Sequence, residues 1–181
     1  MKRIISVLAA AALLLLSSCS LEYTTSRYVT KDGVNYYTSS TRKTCFAGEC
    51  VIGSDADELT IPDEVDGYRV AALGGITGRS GAPMPFIISL PGARYPCLKE
   101  DLPEGANVTE KDIVLRLGKN IETVNEVPMG YLYVEKMDEY VHLTVYVVCD
   151  GDNPYYYSEG GRLFERKSGE LVETFEYSSE K

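Results

Sequence analysis

Residues 59–74 read Leu59-Thr60-Ile61-Pro62-Asp63-Glu64-Val65-Asp66-Gly67-Tyr68-Arg69-Val70-Ala71-Ala72-Leu73-Gly74 and open on a short apolar run of strand-like character. Residues 87–91, 113–118 and 143–147 form three further runs of this kind. With Ile61, Leu90, Leu117 and Val145 taken as equivalent, the intervals are 29, 27 and 28 residues. Such near-constant spacing predicts a stacked solenoid with one strand per turn, since strands of a β-sandwich recur every ~8–12 residues.

The same residues carry a family resemblance. The first stretch resembles the first repeat of BspA-type leucine-rich-repeat proteins, in its Ile61-Pro62 pair, its Asp66-Gly67-Tyr68 turn and its terminal Leu73-Gly74. Residues 117–124 resemble a later repeat, with Gly118 in the usual proline place. Residues 153–165, which begin Asn153-Pro154, resemble the segment that ends a run of repeats, and residues 32–37 resemble the N-terminal cap. The resemblance implies a short, degenerate member of a family of surface lipoproteins.

The expected fold is mainly β. The chain has 8 prolines and 16 glycines, and no long segment keeps apolar residues at helical spacing. We therefore expect a β-rich α+β domain over residues 33–181: a leucine-rich-repeat solenoid of about four turns with β-hairpin caps and little helix. Irregular repeats would span residues 59–150, with residues 74–86 and 92–112 as loops.

Each end of the stack needs a cap, because a terminal turn would otherwise expose its apolar face. Residues 33–53 predict an N-terminal hairpin with strands at 34–38 and 44–47 and a third short strand at 50–52. Residues 153–175 predict the C-terminal cap, with strands at 162–165 and 170–173 joined by Lys167-Ser168-Gly169. Leu163, Phe164, Leu171 and Val172 would then cover the last turn.

The first residues predict export. Lys2 and Arg3 precede an apolar run over residues 4–16 and the small pair Ser17-Ser18, which is typical of a signal peptide over residues 1–18. The run is shorter than the ~20 residues of a spanning helix. Leu16-Ser17-Ser18-Cys19 also resembles the bacterial lipobox, which implies lipid on Cys19, a short tether over residues 19–32 and anchoring to the cell envelope, at the outer membrane or cell surface.

Charge and cysteine content narrow the function classes. The formal charge of −9 becomes −11 if Lys2 and Arg3 are removed, and no basic stretch is present, so nucleic acid is not an expected partner. In an exported chain, Cys45, Cys50, Cys97 and Cys149 are candidates for disulfides; a Cys45–Cys50 bridge would leave Cys97 with Cys149, and two other pairings stay open. With His142 as the only histidine and no CxxC pair, no metal and no cofactor are expected.

Tyrosine supplies the candidate site. The chain has 14 tyrosines and no tryptophan, and flat amphipathic rings suit recognition of a protein or sugar. The candidate ligand-binding residues are Tyr131, Tyr133, Tyr155, Tyr156 and Tyr157, although sheet packing is the simpler role for such residues. His142 is interpreted as a strand-start residue, and the glycine-rich residues 74–81 as an inter-turn loop instead of a phosphate loop, because the pattern lacks the required lysine.

We therefore expect a surface-anchored, non-catalytic module that binds a protein or glycan, rather than an enzyme. The alternative is a structural or accessory lipoprotein of a larger envelope complex. A hydrolase that uses two carboxylates would leave no local sequence signature, and it requires two acids ~5–10 Å apart across a cleft.

Overall fold

The computed structural model describes residues 26–39, 41–77 and 82–175. Strands dominate these residues, and the only helices among them are the 3₁₀ turns Lys99–Asp101 and Glu173–Phe175. The strands are β1 Ser26–Lys31, β2 Val34–Ser39, β3 Thr44–Val51, β4 Glu58–Ile61, β5 Glu64–Val65, β6 Tyr68–Leu73, β7 Gly75–Thr77, β8 Ala82–Met84, β9 Ile87–Ser89, β10 Val108–Leu117, β11 Thr123–Val124, β12 Tyr131–Val134, β13 Glu139–Cys149, β14 Tyr156–Glu159 and β15 Arg162–Glu165.

The mainly β class is confirmed, with 53% strand and 4% helix. One sheet has the order β1-β2-β3-β6-β11, with β5 also on β6 and β9 also on β3. A four-stranded sheet has the order β12-β13-β10-β4, and β14-β15 and β7-β8 form two hairpins. The two large sheets mix parallel and antiparallel pairs, and neither is closed.

Two ladders of parallel strands organise the molecule. In the first, β4, β10 and β13 align Leu59 with Leu115 and Leu115 with Val147, and all three side chains are buried. In the second, β3, β6 and β11 align Ala47 with Leu73 and Leu73 with Val124. Inward side chains from both ladders meet in one core cluster, so the alternation of each strand buries one face and leaves the other to solvent.

The register predicted for the four runs is only partly correct. Ile61 does pair with Leu117, but Leu117 pairs with Cys149, and Val145 pairs with Ile113. Leu90 is not in this sheet, because β9 just before it pairs with β3. The error has a physical source: a slip of four residues along a strand keeps the same side chains on the buried face, so apolar spacing alone cannot fix the register.

The hairpin predicted within residues 33–53 is present. β2 and β3 pair antiparallel from Val34↔Cys50 to Ser39↔Thr44, with a bulge beside Asn35. Cys50 and Val51 continue β3, so the separate third strand predicted at 50–52 is wrong. The predicted tether also ends earlier than residue 32, because residues 26–31 form β1 on the outer edge of β2. The β-prone sequence Tyr28-Val29-Thr30 favours this strand.

The C-terminal cap differs in its pairing. β15 pairs first with β14 across Gly160-Gly161, whose positive φ angles of 59° and 82° suit the tight turn. The predicted second strand then lies along the other side of β15, where the Val172 amide donates to Leu163 O and Phe164 bridges Leu171. Leu163 is buried and Val172 packs against the core.

The two predicted loops contain structure. β7 and β8 pair within residues 74–86, and β10 begins at Val108, inside the range 92–112. Gly75 is in contact with the Phe46 ring, since a Cβ there would lie 2.6 Å from Cδ1, and Gly74 has a φ of 64°. These two glycines therefore serve close packing and a turn. Among the described residues, no helix is long and apolar enough to cross a bilayer.

Candidate ligand-binding face

The solvent side of the four-stranded sheet is the main candidate site, and we call it the outer face. It follows from strand alternation, because the odd-numbered residues over 113–117 of β10 and 141–147 of β13 are buried and their even-numbered neighbours are not. The outer face consists of Glu58 and Thr60 on β4, Glu110, Asp112, Val114 and Arg116 on β10, Tyr131 and Tyr133 on β12, and Tyr140, His142, Thr144, Tyr146 and Val148 on β13.

One end of the outer face carries an aromatic and charged cluster. Tyr133 pairs with Tyr140 across β12 and β13, and their ring centroids are 5.1 Å apart. The Arg94 guanidinium lies over the Tyr133 ring at 5.4 Å and bonds Glu135 through Nη2 at 2.7 Å and Nε at 3.0 Å. The Tyr133 hydroxyl donates to Asp138 Oδ1 at 2.7 Å, which raises the pKa of Tyr133. We call these five residues the aromatic cluster.

The chain path explains why Arg94 reaches this end. Residues 93–97 run beside β12, where the Arg94 amide donates to Tyr133 O and the Cys97 amide to Tyr131 O. This pairing places the Arg94 guanidinium, from the predicted loop 92–112, over the ring of Tyr133, a candidate ligand-binding residue predicted from the sequence. Arg94 and Glu135 are well exposed, at 68% and 58% of their side chains, so the pair remains open to a ligand.

Tyr131 has a supporting role in the next row. Its ring stacks on His142 with centroids 4.6 Å apart, and His142 Nδ1 lies 2.7 Å from Glu110 Oε2. Tyr131 is only 6% exposed, so a ligand has little access to its ring. His142 is the fourth residue of β13, which begins at Glu139, and so lies inside the strand rather than at the strand start predicted from sequence.

The other end of the outer face is more apolar. Tyr146 and Val148 are 42% and 38% exposed, beside the half-buried Val114. Arg116 Nε lies 2.9 Å from Glu58 Oε1, and this bond lowers the pKa of the Glu58 carboxyl. The face therefore changes along its length from an aromatic cluster with polar groups to an apolar patch with an ion pair.

The three C-terminal tyrosines have different environments. Tyr156 is buried, so a ligand has little access to its ring, and its hydroxyl accepts from the Val124 amide at 3.2 Å, which joins the C-terminal segment to β11. Tyr157 stacks on Phe164 at 5.3 Å with Arg166 over its ring at 5.8 Å. Tyr155 is 46% exposed. None of the three belongs to the outer face.

The sequence did not predict the structural role of Asn153. It is 1% exposed, and its Nδ2 donates to Gly118 O at 3.1 Å and Ile121 O at 3.0 Å. Its Oδ1 accepts from the amides of Tyr155 at 2.8 Å and Tyr156 at 2.9 Å. One side chain thus ties the C-terminal cap to the turn after β10. The resemblance included Asn153-Pro154, but no local sequence signal indicates the contacts of Asn153 with residues more than 30 positions away.

The cysteines are free thiols among the described residues. Cys45 and Cys50 both lie in β3, and five residues of strand span ~16 Å, far beyond the ~7 Å Cα limit of a disulfide. The Cys45–Cys50 bridge is therefore incompatible with this fold. A Cys97–Cys149 bridge is also incompatible with the fold. Cys97 lies opposite Tyr131, which lies opposite His142, and Cys149 is seven residues further along β13 than His142. Burial raises the pKa of Cys45 and of Cys50 to about 12.

A separate concavity of about 480 Å³, which we call the edge cleft, lies beside β4. Its walls are the β1–β2 turn at Asp32-Gly33, residues 51–53 and Ala56, and Glu58, Leu59 and Thr60 of β4. Asp32 and Glu58 are the two acids that a carboxylate-based hydrolase would use here. Because Arg116 lowers the pKa of Glu58, this carboxyl is the reverse of a general acid, whose pKa must be raised.

No group of three or more His, Cys, Asp or Glu residues suited to a metal ion occurs in the described part of the chain. The signal peptide and Cys19 lie outside the described residues.

Comparison with protein-family models, with curated proteins and with solved structures finds no match to this chain.

Proposed function

We propose that this chain is a surface-anchored, non-catalytic binding module, held to the bacterial envelope by lipid on Cys19, that recognises a glycan through the aromatic cluster of the outer face. The observation that carries the proposal is that cluster: two tyrosine rings, a stacked guanidinium and two carboxylates gathered at an accessible end of a rigid sheet. Tyrosine presents a flat apolar ring with a polar tip, which suits the C–H faces and hydroxyls of a sugar.

Size separates the two ligand classes expected from the sequence. Tyr140 and Tyr146 are six residues apart on β13, or ~20 Å. β12 flanks the Tyr140 end and β4 the Tyr146 end, so three strands, ~10 Å across, lie side by side at either end, and the outer face covers ~200 Å². A stable protein interface takes ~800 Å² from each partner. The face alone is therefore small for a protein and sufficient for a few sugar units. Strand positions also fix the polar groups, which gives orientation as well as contact.

The leucine-rich-repeat architecture is part of the proposal. The two parallel ladders have the kind of rows that stacked repeats produce, with Leu59, Leu115 and Val147 in one and Ala47, Leu73 and Val124 in the other. The insertion between β6 and β10 makes the spacing irregular. We therefore propose a degenerate BspA-like stack of three turns, one fewer than the four expected from sequence. Display of this stack on a lipid tether matches a role in adhesion.

The test is binding of the purified chain to a glycan array and to host extracellular proteins, followed by titration of the best glycan. Replacing Tyr133 and Tyr140 by alanine should weaken that affinity by about tenfold or more, since central aromatic residues carry much of a binding energy. Tyr28→Ala is the matched control, because Tyr28 is an exposed tyrosine on the other sheet. Equal affinity of the double variant and the wild type, or binding only to proteins, would contradict the proposal.

A further inference from the structure

The two parallel ladders end differently on the side where the chain enters them. β3 is followed outward by β2 and β1, which continue its sheet. β4 is the last strand of the four-stranded sheet, with β10 as its only neighbour in the strand order of the described residues. The hairpin cap therefore covers one ladder and leaves the edge of the other open.

The hydrogen-bond pattern identifies the open backbone groups. The Val114 amide donates to Asp57 O and the Gly118 amide to Ile61 O, so β4 faces β10 through Asp57, Leu59 and Ile61. Alternate residues of a strand direct their amide and carbonyl to opposite sides. The amides and carbonyls of Glu58 and Thr60 are thus directed away from β10, toward the edge cleft. Unpaired strand edges of this kind are templates for pairing with another chain.

The edge cleft supplies room and charge for such a strand. Its volume of about 480 Å³ runs along Glu58, Leu59 and Thr60, and its opposite wall carries Val51, which is 42% exposed. The charged residues that line it are Asp32 and Glu58, both acidic, and Glu58 also forms an ion pair with Arg116 on the neighbouring strand. A strand added here would have an apolar side chain against Val51 and a cation near the carboxylates.

We propose that the edge cleft binds an extended polypeptide segment that carries a basic side chain and joins β4 as a further strand. This mode uses main-chain bonds for affinity and alternate side chains for selection. A second copy of this chain is a poor occupant, because antiparallel pairing of two β4 strands would bring two Glu58 carboxylates to one short edge, and like charges across a strand pair are destabilising. The proposal is independent of the glycan site at the opposite end of the sheet.

The probe is a capped hexapeptide of alternating valine and lysine, titrated against the full-length chain in detergent solution by fluorescence anisotropy. Two companion peptides isolate the contributions: one has N-methyl groups on alternate backbone nitrogens, and one has glutamate in place of lysine. We expect saturable binding of the first peptide and at least tenfold weaker binding of each companion. Amide exchange should slow about tenfold at Glu58 and Thr60 when free peptide is at ten times its Kd.

The matched variants are Asp32→Asn with Glu58→Gln, and Asp66→Asn with Glu64→Gln. Each pair removes two carboxylates, and Asp32 and Asp66 have similar φ angles of 51° and 50°, which asparagine tolerates. Glu58→Gln also breaks the Arg116–Glu58 ion pair, so Arg116→Gln is the control for that loss and should not weaken peptide binding. The first pair should weaken the binding of the peptide by about twofold to thirtyfold, which is the range that two exposed ion pairs allow. The control pair should leave peptide affinity unchanged. Absence of saturable binding, equal binding of the N-methylated peptide, or protection of Glu58 and Thr60 that rises with protein concentration alone would overturn the proposal.

Discussion

Replacement of Asn153 by alanine should destabilise the protein more than any other exchange of a single polar side chain in the C-terminal half. The Asn153 side chain makes four hydrogen bonds to backbone groups, two as donor and two as acceptor, and it is buried. Each such bond contributes ~0.5–1.5 kcal/mol net, so their joint loss costs about 4 kcal/mol. Total stabilities of domains are ~5–15 kcal/mol, so this loss is a large fraction of the whole.

Urea unfolding of the wild type and the variant measures this loss. With an m-value of ~2 kcal/mol/M, a loss of about 4 kcal/mol lowers the midpoint by about 2 M. Asn120→Ala is the matched control, because Asn120 Nδ2 makes one bond, to Asp63 O at 3.2 Å. Its expected loss is ~1 kcal/mol, or ~0.5 M. Asn153→Asp should destabilise at least as much as alanine at neutral pH, because a carboxylate would face the carbonyls of Gly118 and Ile121.

A midpoint shift for Asn153→Ala no larger than that for Asn120→Ala would refute this account of the cap. So would a near-native stability of Asn153→Asp, because that variant keeps the two acceptor bonds to Tyr155 and Tyr156 but places a carboxylate oxygen against the Gly118 and Ile121 carbonyls.

Three further outcomes follow from single contacts. Tyr156→Phe should lower stability by ~1 kcal/mol in urea unfolding, because it removes the hydroxyl that accepts from the Val124 amide, and an unchanged midpoint would contradict that bond. Gly118→Ala should cost ~1–3 kcal/mol by the same measurement, since its Cβ would lie 2.4 Å from Asp63 Oδ1; a neutral effect would mean that Asp63 moves freely. Burial raises the pKa of the Cys45 and Cys50 thiols to about 12 from the ordinary value of 9.0, so their neutral forms stabilise the fold below pH 9 and this contribution is lost as pH rises from 9 toward 12. The fall in urea midpoint between pH 8 and pH 10.5 should be smaller in a variant with alanine at both positions, and an equal fall would contradict the assignment.

The sequence predicted what local chemistry decides. Short β-prone runs separated by polar or glycine turns gave the β class and the β2–β3 hairpin, and the repeat spacing found one true partner pair, Ile61 with Leu117. Gly118 has a structural role of its own, because its amide donates to Ile61 O and a proline at this position would lack this donor.

Non-local pairing decided the rest. Apolar alternation repeats every two residues, so Val145 and Cys149 are equally good partners for Leu117 on pattern alone, and only the assembled sheet chooses. β9 resembles the other runs and yet pairs with β3. The aromatic cluster depends on residues 93–97 lying beside β12, a pairing across more than 30 positions that leaves no mark near Arg94 in the sequence.

The two proposed sites share one sheet, and this arrangement makes a quantitative prediction. The β14–β15 hairpin covers the edge of β13, the last strand of the β4-β10-β13 ladder. There the Val147 amide donates to Gly161 O and the Cys149 amide to Ser158 Oγ. The open edge at β4 and the aromatic cluster at β12 are separated by three strand spacings across the sheet, ~14 Å, and by about six residues along it, ~20 Å.

Effects of changes this far apart normally add to within ~0.5 kcal/mol. The alanine pair at Tyr133 and Tyr140 should therefore leave hexapeptide affinity unchanged, and the Asp32 and Glu58 pair should leave glycan affinity unchanged. A chain carrying all four changes should show the two separate losses together. If the glycan instead altered hexapeptide affinity severalfold, the sheet would couple the two sites, and the treatment of its strands as a rigid frame would have to be abandoned.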